Sequence, residues 1–584
     1  MHSIFSAVKK GFVFMRQNGI YRTSKKAVGK IIFAQKYKKW ITQHENIDAE
    51  QIRHDIEKFV YHPLFSICIP VYNVEEKWLR KCIQSVQNQY YTHWQLCMAD
   101  DCSTDKKVKK ILHEYEQEDN RICVVCRTKN GHISRATNSA LQIAEGEFIV
   151  LMDNDDELAP NALYEVAKVL QENRDRDIIY SDEDKIDENG NRSNPYFKPE
   201  YCPDTLLSNN YISHLTVYRK SVIKKVGEFR TGVEGAQDYD LLLRTLELTD
   251  KIYHIPKVLY HWRAIQGSTA LDGGEKDYAY EAGKKVLKDT IKRRKYNAKL
   301  TETKNSPCYN VEFYPTTEHL VSIIVQPKKN IKNVQRCLKS IFEKTKDCDF
   351  EILLVENFLN KKIIRELSHQ YKHKVNCRII KAEKSETEAV QKNKASQYAK
   401  GDLLLFLSSE VEILTKKWLQ RLIGEAEREK IGAVGVKILR LDNRIQQAGI
   451  YLNQKNVYKK VGAGRRKEDS GYMYYLSMRR NYSAVSANCL MVKRQLFEQV
   501  GGFDKNLGVH FYDIDFCLRL RCKGYDNIYL PDVQIRDHYW YRYPKIKRNR
   551  EKCQAITYMK NKWGNQLLDD PCDGRWFSLD SIKL

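Results

Sequence analysis

The chain has 584 residues, too many for one hydrophobic core, so at least two domains are expected. Apolar residues at 42% and aromatics at 11% suffice for packed cores, and apolar runs such as "LLLFL" at 403–407 fall far short of the ~18 residues a membrane span needs. Lys plus Arg number 99 against 75 Asp plus Glu, a net charge of +24 that favours polyanionic partners (nucleic acid, anionic membrane or phosphorylated small molecules) without choosing among them.

The first segment, residues 1–60, reads as a basic helical arm. From Met1 to His44 there is no Asp or Glu, while Lys9, Lys10, Arg16, Arg22, Lys25, Lys26, Lys30, Lys36, Lys38 and Lys39 are basic. Phe5, Val8, Phe12 and Met15 recur at helical spacing. Such a helix suits the headgroup region of an anionic bilayer, where each Lys or Arg contributes about 1 kcal/mol. The alternative is a helix docked on its own domain with a solvated basic side.

Next comes "FSICIPVYN" (65–73), a short apolar strand ending in Pro70 and a polar loop, then the helix-like "EEKWLRKCIQSVQNQ" (75–89). The strand "WQLCMADD" (94–101) ends in Asp100 and Asp101, and "FIVLMDNDDELAP" (148–160) in Asp153, Asp155, Asp156 and Glu157. Clustered carboxylates repel one another unless something positive sits among them. Alternation of short β runs with helices indicates an α/β layer with a largely parallel sheet, in which ligands bind at the carboxyl ends of the strands. Between the acid-bearing strands, "KNGHISRATNSAL" (129–141) places Gly131 where a strand gives way to a helix, with Arg135 on its first turns. Both features favour an anion. Carboxylates facing a diphosphate need a divalent cation between them, and hard oxygen ligands suit Mg²⁺ or Mn²⁺. No P-loop and no G-x-G-x-x-G fingerprint is present.

The 16 cysteines are scattered, and "CVVC" (123–126) lies in a strand-like run whose alternation sends its sulfurs to opposite faces. Packing thiols, reduced in a cytosolic compartment, are therefore expected. The pattern then repeats. "LVSIIVQPKKN" (320–330) answers "FSICIPVYN", with Pro70 and Pro327 257 residues apart; "FEILLVEN" (350–357) answers "WQLCMADD"; "LLLFLSSE" (403–410) answers "FIVLMDND"; and "DIDFCLR" (513–519) answers "DYDLLLR" (238–244). This reads as a duplicated domain, residues 61–310 and 311–584.

Taken together, "ICIPVYN", "ADDCSTD", "NGHISRATN", "LMDNDDEL", "YSDEDKID", "PYFKPEY", "GAQDYDLLLR" and "LYHWR" resemble a family 2 glycosyltransferase domain of the GT-A fold, of the kind found in bacterial cell-surface polysaccharide assembly. The resemblance covers about residues 62–290, with a weaker copy over about 318–545. It implies two tandem Rossmann-like α/β domains after the arm. It implies a nucleotide-sugar donor, a glycan or lipid-linked glycan acceptor and a divalent cation (Mn²⁺ or Mg²⁺); the scattered cysteines and the basic arm add the expectation of a cytoplasmic protein, peripheral at the inner face of the plasma membrane. Pro70, Tyr72 and Asp101 would hold nucleobase and ribose, with Asp100 as the alternative in another register. Asp153 would face ribose and metal, Asp155 would ligate the metal, and His261 would be a third ligand or a phosphate contact. Arg135 would stabilise the diphosphate, and Asp238 would be the catalytic base of an inverting transfer. Read without the family, Asp238 is equally a helix N-terminal acid and His261 an interfacial histidine beside Trp262.

The second copy departs from the pattern, with Ser408, Ser409 and Glu410 where the metal-binding triplet falls and Glu356 at the nucleotide acid. It keeps Asp513 at the position of the base and His538 as the counterpart of His261. It is expected to be impaired, metal-independent, or an acceptor-binding partner. The rival classes are a basic nucleic-acid-binding protein and a noncatalytic scaffold. No nucleic-acid recognition module is visible, and the intact "DND" and "QDYD" count against a scaffold.

Overall fold

The computed structural model describes residues 20–265, 275–301, 307–328, 330–356, 361–371, 376–383, 385–539, 545–568 and 570–573. Within these the chain divides into two compact units, the first from its start to Tyr201 plus Asn210–Thr290, the second Cys202–Asn209 plus Ile291–Asp573. The division falls at Thr290 where the sequence reading placed it at 310, and the excursion of 202–209 into the second unit left no trace in the sequence pattern.

In the first unit β1 (Phe65–Val71) lies between β2 (Trp94–Asp100) and β4 (Phe148–Leu151), parallel to both, and β3 (Ile122–Cys126) extends the parallel set beyond β2. Phe65, Ile67, Ile69 and Val71 alternate with Ser66 and Cys68, and all six are buried, so both faces of the sheet are covered. One cover is the helix Glu76–Gln87, which buries Trp78, Leu79, Cys82, Ile83 and Val86 along one stripe. Each such side chain contributes roughly 1.5–3 kcal/mol through burial. The helix Lys106–Glu118 buries Val108, Ile111, Leu112 and Tyr115, and Asp105 caps it by accepting from the Lys107 N–H at 2.9 Å.

Beyond β4 the sheet becomes mixed. β8 (Thr216–Arg219) runs antiparallel to β4, β6 (Ile178–Ile186) antiparallel to β8, and β9 (Ile252–Arg263) parallel to β6. The two-residue β5 (Glu157–Leu158) closes the edge against β9, and β7 (Arg192–Tyr196) forms a hairpin with β6. The expected Rossmann-like core is therefore β3-β2-β1-β4, with an antiparallel extension. Its register sets Val71 beside Asp100, and β4 ends on the same edge, so the loops after β1, β2 and β4 converge.

The second unit repeats the plan in the order Asn376–Lys381, Asp349–Glu356, Leu320–Gln326, Leu403–Ser408, Cys489–Lys493, Ile431–Leu439, Asp526–Asp537 and Val411–Ile413. A matched clasp fixes the correspondence. Ser66 Oγ donates to Gln95 Oε1 at 2.8 Å and accepts from Gly146 N at 2.8 Å; Ser322 Oγ donates to Glu351 Oε1 at 2.7 Å and accepts from Gly401 N at 2.9 Å. A Cβ at Gly146 would lie 2.6 Å from Leu64 O, and at Gly401 2.3 Å from Leu320 O, so only glycine admits this approach. The offset from Ser66 to Ser322 is 256, which places Gln326, not Pro327, opposite Pro70.

All 16 cysteines are free thiols, and Cys123 and Cys126 stand in β3 without a partner pair. The helix Ile20–His44 is present, and no helix among the described residues is long and apolar enough to cross a membrane. Phe5, Val8, Phe12 and Met15 lie outside the described residues. The end of the arm is docked: Tyr37 and Trp40 are buried, with the Trp40 ring edge-on to Phe197 at 4.9 Å.

Candidate functional site

The acid cluster after β4 is not uniform. Asp156 is fully buried and satisfied, its Oδ2 accepting from Tyr260 Oη at 2.5 Å and its Oδ1 from Arg263 N at 2.7 Å. The buried Arg263 guanidinium donates to Asp155 O at 2.6 Å and pairs with Glu157. This is the positive charge the cluster requires on its inner side. Asn154 Nδ2 donates to Pro70 O at 2.9 Å and ties the loop to the end of β1. Asp153 and Asp155 remain as the outward acids. Burial, then repulsion from Asp153, raises the Asp155 carboxyl to about 6.

On the outer side stands a residue that sequence reasoning missed. The loop leading into β8 delivers His214, whose ring stacks on Tyr260 (4.6 Å, 13°) and whose Nε2 lies 3.7 Å from Asp153 Oδ2. Among the described residues, Asp153, Asp156 and His214 present ligand atoms within 4.8 Å of one another. Both Asp156 oxygens are already engaged, so the groups able to turn to a cation are Asp153 and His214, with Asp155 adjacent. Two carboxylates and an imidazole are a donor set suited to Mn²⁺ or Mg²⁺.

The structure separates Asp100 from Asp101. Asp101 accepts from Gly131 N at 2.9 and 3.0 Å and from Arg127 Nε at 2.7 Å, so the anion at that helix N-terminus is Asp101 itself. Asp100 Oδ1 accepts from Ser103 N at 3.1 Å, while its buried Oδ2 has no hydrogen-bond partner and sees only Lys109 Nζ at 4.0 Å. A buried acceptor without a donor is costly. Asp100, rather than the expected Asp101, therefore offers an open oxygen. Tyr72 is 47% exposed just past β1, and Asn73 next to it accepts from Thr104 N at 2.9 Å, joining the loops after β1 and β2. Arg135 is exposed, and its guanidinium is unbonded among the described residues.

Asp238 occupies the first turn of the helix Gln237–Thr245. Its Oδ2 accepts from Asn210 Nδ2 at 2.7 Å. Burial raises its carboxyl above the ordinary range; His214 and Asn210 pull it back, and Asp153 adds repulsion, so Asp238 shares the electrostatic environment of the acid cluster. His261 in β9 stands opposite Glu157, and its Nδ1 lies 2.6 Å from Asp184 Oδ1. It is not in the group formed by Asp153 and His214.

In the second unit the corresponding positions are closed by internal bonds. Ser408 Oγ accepts from Glu410 N at 3.3 Å, Ser409 Oγ from Lys328 N at 2.9 Å, and Glu410 is buried and bonded to Asn333 Nδ2. The Lys328 ammonium pairs with Glu388 at 2.9 Å, and the buried Lys392 Nζ donates to Tyr512 Oη at 2.6 Å. Asp513 accepts from the backbone N–H groups of Ala487 and Ile514, both at 3.0 Å. His538 requires a correction. Glu157 faces His261 across the ladder whereas Glu412 faces Arg536, so the counterpart of His261 is Arg536. His538 takes the position of Arg263 and bonds Glu412 at 2.8 Å as Arg263 bonds Glu157.

Residues 66–227 and 322–501 each match the description Glycosyl transferase family 2. The chain is 36% identical over 555 residues to the uncharacterized protein y4gI of Sinorhizobium fredii, covering 91% of this chain and 59% of that one. It is 32% identical over 497 residues to the O-antigen biosynthesis protein RfbC of Myxococcus xanthus, covering 84% and 38%. It thus spans less than two thirds of either relative. Among solved structures, S. aureus TarS 1–349 in complex with UDP-GlcNAc is 25% identical, covering 39% of this chain and 66% of that one with a TM-score of 0.33.

Proposed function

The chain belongs to glycosyl transferase family 2, and from that premise we propose that its first unit is an inverting glycosyltransferase site, moving a sugar from a nucleotide-sugar donor to a hydroxyl of a growing, lipid-linked cell-surface glycan. One observation carries this reading: the exposed Tyr72, the open oxygen of Asp100, the acids Asp153 and Asp155, and Asp238 collect around the carboxyl ends of the parallel strands. The family supplies the reaction, and RfbC, an O-antigen biosynthesis protein, supports a polysaccharide product.

Tyr72 stacks on the base, and Asp100 Oδ2 accepts from a base or ribose donor. Asp153, Asp155 and His214 would hold Mn²⁺ or Mg²⁺, whose charge offsets that developing on the departing diphosphate. Arg135 adds an unpaired guanidinium to the same end. Asp238 is the base: Asn210 and the Tyr239 backbone N–H hold its carboxylate, which accepts the proton of the incoming hydroxyl. Its raised basicity suits that task. A single displacement assisted by one base inverts the anomeric centre. The second unit is read as impaired or acceptor-binding, because Lys328 and Lys392 supply ammonium charge where the first unit has acids for a metal. The basic arm supports peripheral attachment at the inner face of the plasma membrane.

A hydrolysis screen over UDP-, dTDP- and GDP-sugars tests the function. Release of nucleoside diphosphate from one class with Mn²⁺, lost in EDTA and in Asp155→Ala, is expected; turnover in EDTA equal to that in Mn²⁺ overturns the metal-assisted reading.

A further inference from the structure

The turn from Asn210 to His214 carries two groups of the site. Asn210 Nδ2 donates to Asp238 Oδ2 at 2.7 Å, and His214 sets its Nε2 3.7 Å from Asp153 Oδ2. The turn does not hold this course unaided. Ser213 adopts a φ of +39°, a left-handed conformation that a residue other than glycine keeps only where its surroundings fix it.

What fixes it is a buried ion pair. Lys198, the lysine of "PYFKPEY", follows β7 by two residues and has no solvent exposure. The hairpin of β7 with β6 brings it to Glu183 in β6, and its Nζ donates to Glu183 Oε2 at 3.1 Å, to Ile212 O at 2.6 Å and to His214 O. Three ammonium hydrogens thus meet three acceptors. Glu183 Oε2 also accepts from His214 N at 3.1 Å. One pair therefore clamps both polar atoms of the His214 backbone, while the ring stacks on Tyr260 with Nε2 toward Asp153.

An ammonium taken out of water is costly unless its partners are well placed, and an apolar side chain of similar length would fill the same space. What the apolar chain cannot do is draw two carbonyls and a carboxylate to one point. None of the ammonium's three bonds goes to Asp153 or Asp155, so Lys198 acts on the acid cluster only through the turn.

We propose that Lys198 is a positioning residue of the first unit's metal site: together with Glu183 it holds the backbone at 212–214 so that the His214 ring faces Asp153. The inference rests on the proposed function, in which Asp153, Asp155 and His214 hold Mn²⁺ or Mg²⁺.

Titration of the full chain with Mn²⁺ alone, followed by electron paramagnetic resonance, tests it. Lys198→Met is expected to weaken Mn²⁺ binding about tenfold, the lower end of losses at residues that orient metal ligands, and by no more than His214→Ala does. In a His214→Ala background it should add nothing. Glu183→Gln, which keeps the shape and loses the charge, should weaken binding in the same His214-dependent way and carries the test if Lys198→Met does not fold. Wild-type affinity in the folded variants overturns the proposal. So does an equal loss with and without His214, the mark of general loosening, and so does failure of both variants to fold, which would make the pair a determinant of the fold alone. If Asp153→Ala abolishes uptake while His214→Ala leaves it unchanged, the metal site stands and only this inference falls. If the wild type takes up no Mn²⁺, both fall.

Discussion

His214 Nε2 stands 3.7 Å from Asp153 Oδ2, held there by stacking on Tyr260, whose hydroxyl in turn anchors Asp156. One aromatic ring thus aligns the outer histidine and the inner acid of the cluster. Asp153→Ala should abolish metal-dependent donor binding, and His214→Ala should lower Mn²⁺ affinity at least about tenfold, since each lost ligand weakens a hard-cation site. Calorimetry with and without EDTA measures both, and unchanged Mn²⁺ affinity in His214→Ala would remove that residue from the metal site.

Asp238→Asn is nearly isosteric and keeps the contact with Asn210, so donor binding should stay within about twofold while transfer falls about 10²–10⁴-fold, the usual contribution of a general base. The carboxyl is raised above the ordinary aspartate range. A base works only when ionised, so transfer should decline as pH falls through that raised value, earlier than an exposed aspartate would dictate. A pH–rate profile flat through the acid limb, or wild-type turnover in the variant, would exclude the role.

Much of this site was legible in the sequence because its signals are local. An apolar run ending in carboxylates gives a strand and its acidic carboxyl end, as at Asp100 and Asp153, and duplication gives the second unit. The remainder depends on non-local pairing. His214 sits in "NNYISHLTVYR", which carries no motif, and reaches Asp153 only because β8 pairs with β4. The choice between Asp100 and Asp101 turns on which one the Gly131 N–H and Arg127 occupy. Taking His538 as the counterpart of His261 misplaces it by two residues, because ladder register, not residue identity, sets the correspondence.

Most of the arm's basic residues precede its docked part in the sequence, although Lys36, Lys38 and Lys39 flank it. Tyr37 and Trp40 are buried on the first unit, whereas the basic residues Lys9, Lys10, Arg16, Arg22, Lys25, Lys26 and Lys30 precede them. Deleting residues 1–31 should lower binding to anionic vesicles, more at low salt than at high, and leave transfer to a soluble acceptor intact. Equal co-sedimentation of full-length and truncated protein with such vesicles would leave the arm with its docked role alone.

Lys392 in the second unit is buried, and burial lowers its ammonium to about 8. A lysine depressed in the folded state destabilises while charged, and the cost fades as pH rises from that value toward the unfolded value near 10.4. The cost is roughly 3 kcal/mol at neutral pH, set against about 1 kcal/mol for the bond to Tyr512. Lys392→Met should therefore be more stable than wild type by roughly 1–2 kcal/mol at pH 7, with the gap closing above pH ~8. Urea unfolding of both proteins at pH 7 and pH 9.5 measures this, and a gap that does not change with pH would mean Lys392 is not the titrating group.

The two units differ in what neutralises the carboxyl end of the sheet. In the first, among the described residues, no ammonium is bonded to Asp153, Asp155 or the His214 ring, and Arg263 reaches only the backbone of Asp155; in the second, Ser408, Ser409 and Glu410 are bonded internally while Lys328 pairs with Glu388. A serine hydroxyl replaces a carboxylate poorly on a hard dication, and an ammonium nearby repels one. The full chain should accordingly bind one nucleotide sugar in a metal-dependent way, and Asp153→Ala with Asp155→Ala should eliminate that binding. Asp513 argues the other way by position, since it occupies the place of Asp238 and, like it, accepts from the backbone N–H of the next residue. Calorimetry with Mn²⁺ decides: two metal-dependent donor sites of similar affinity would make the second unit a working transferase, and the protein would then form two linkages.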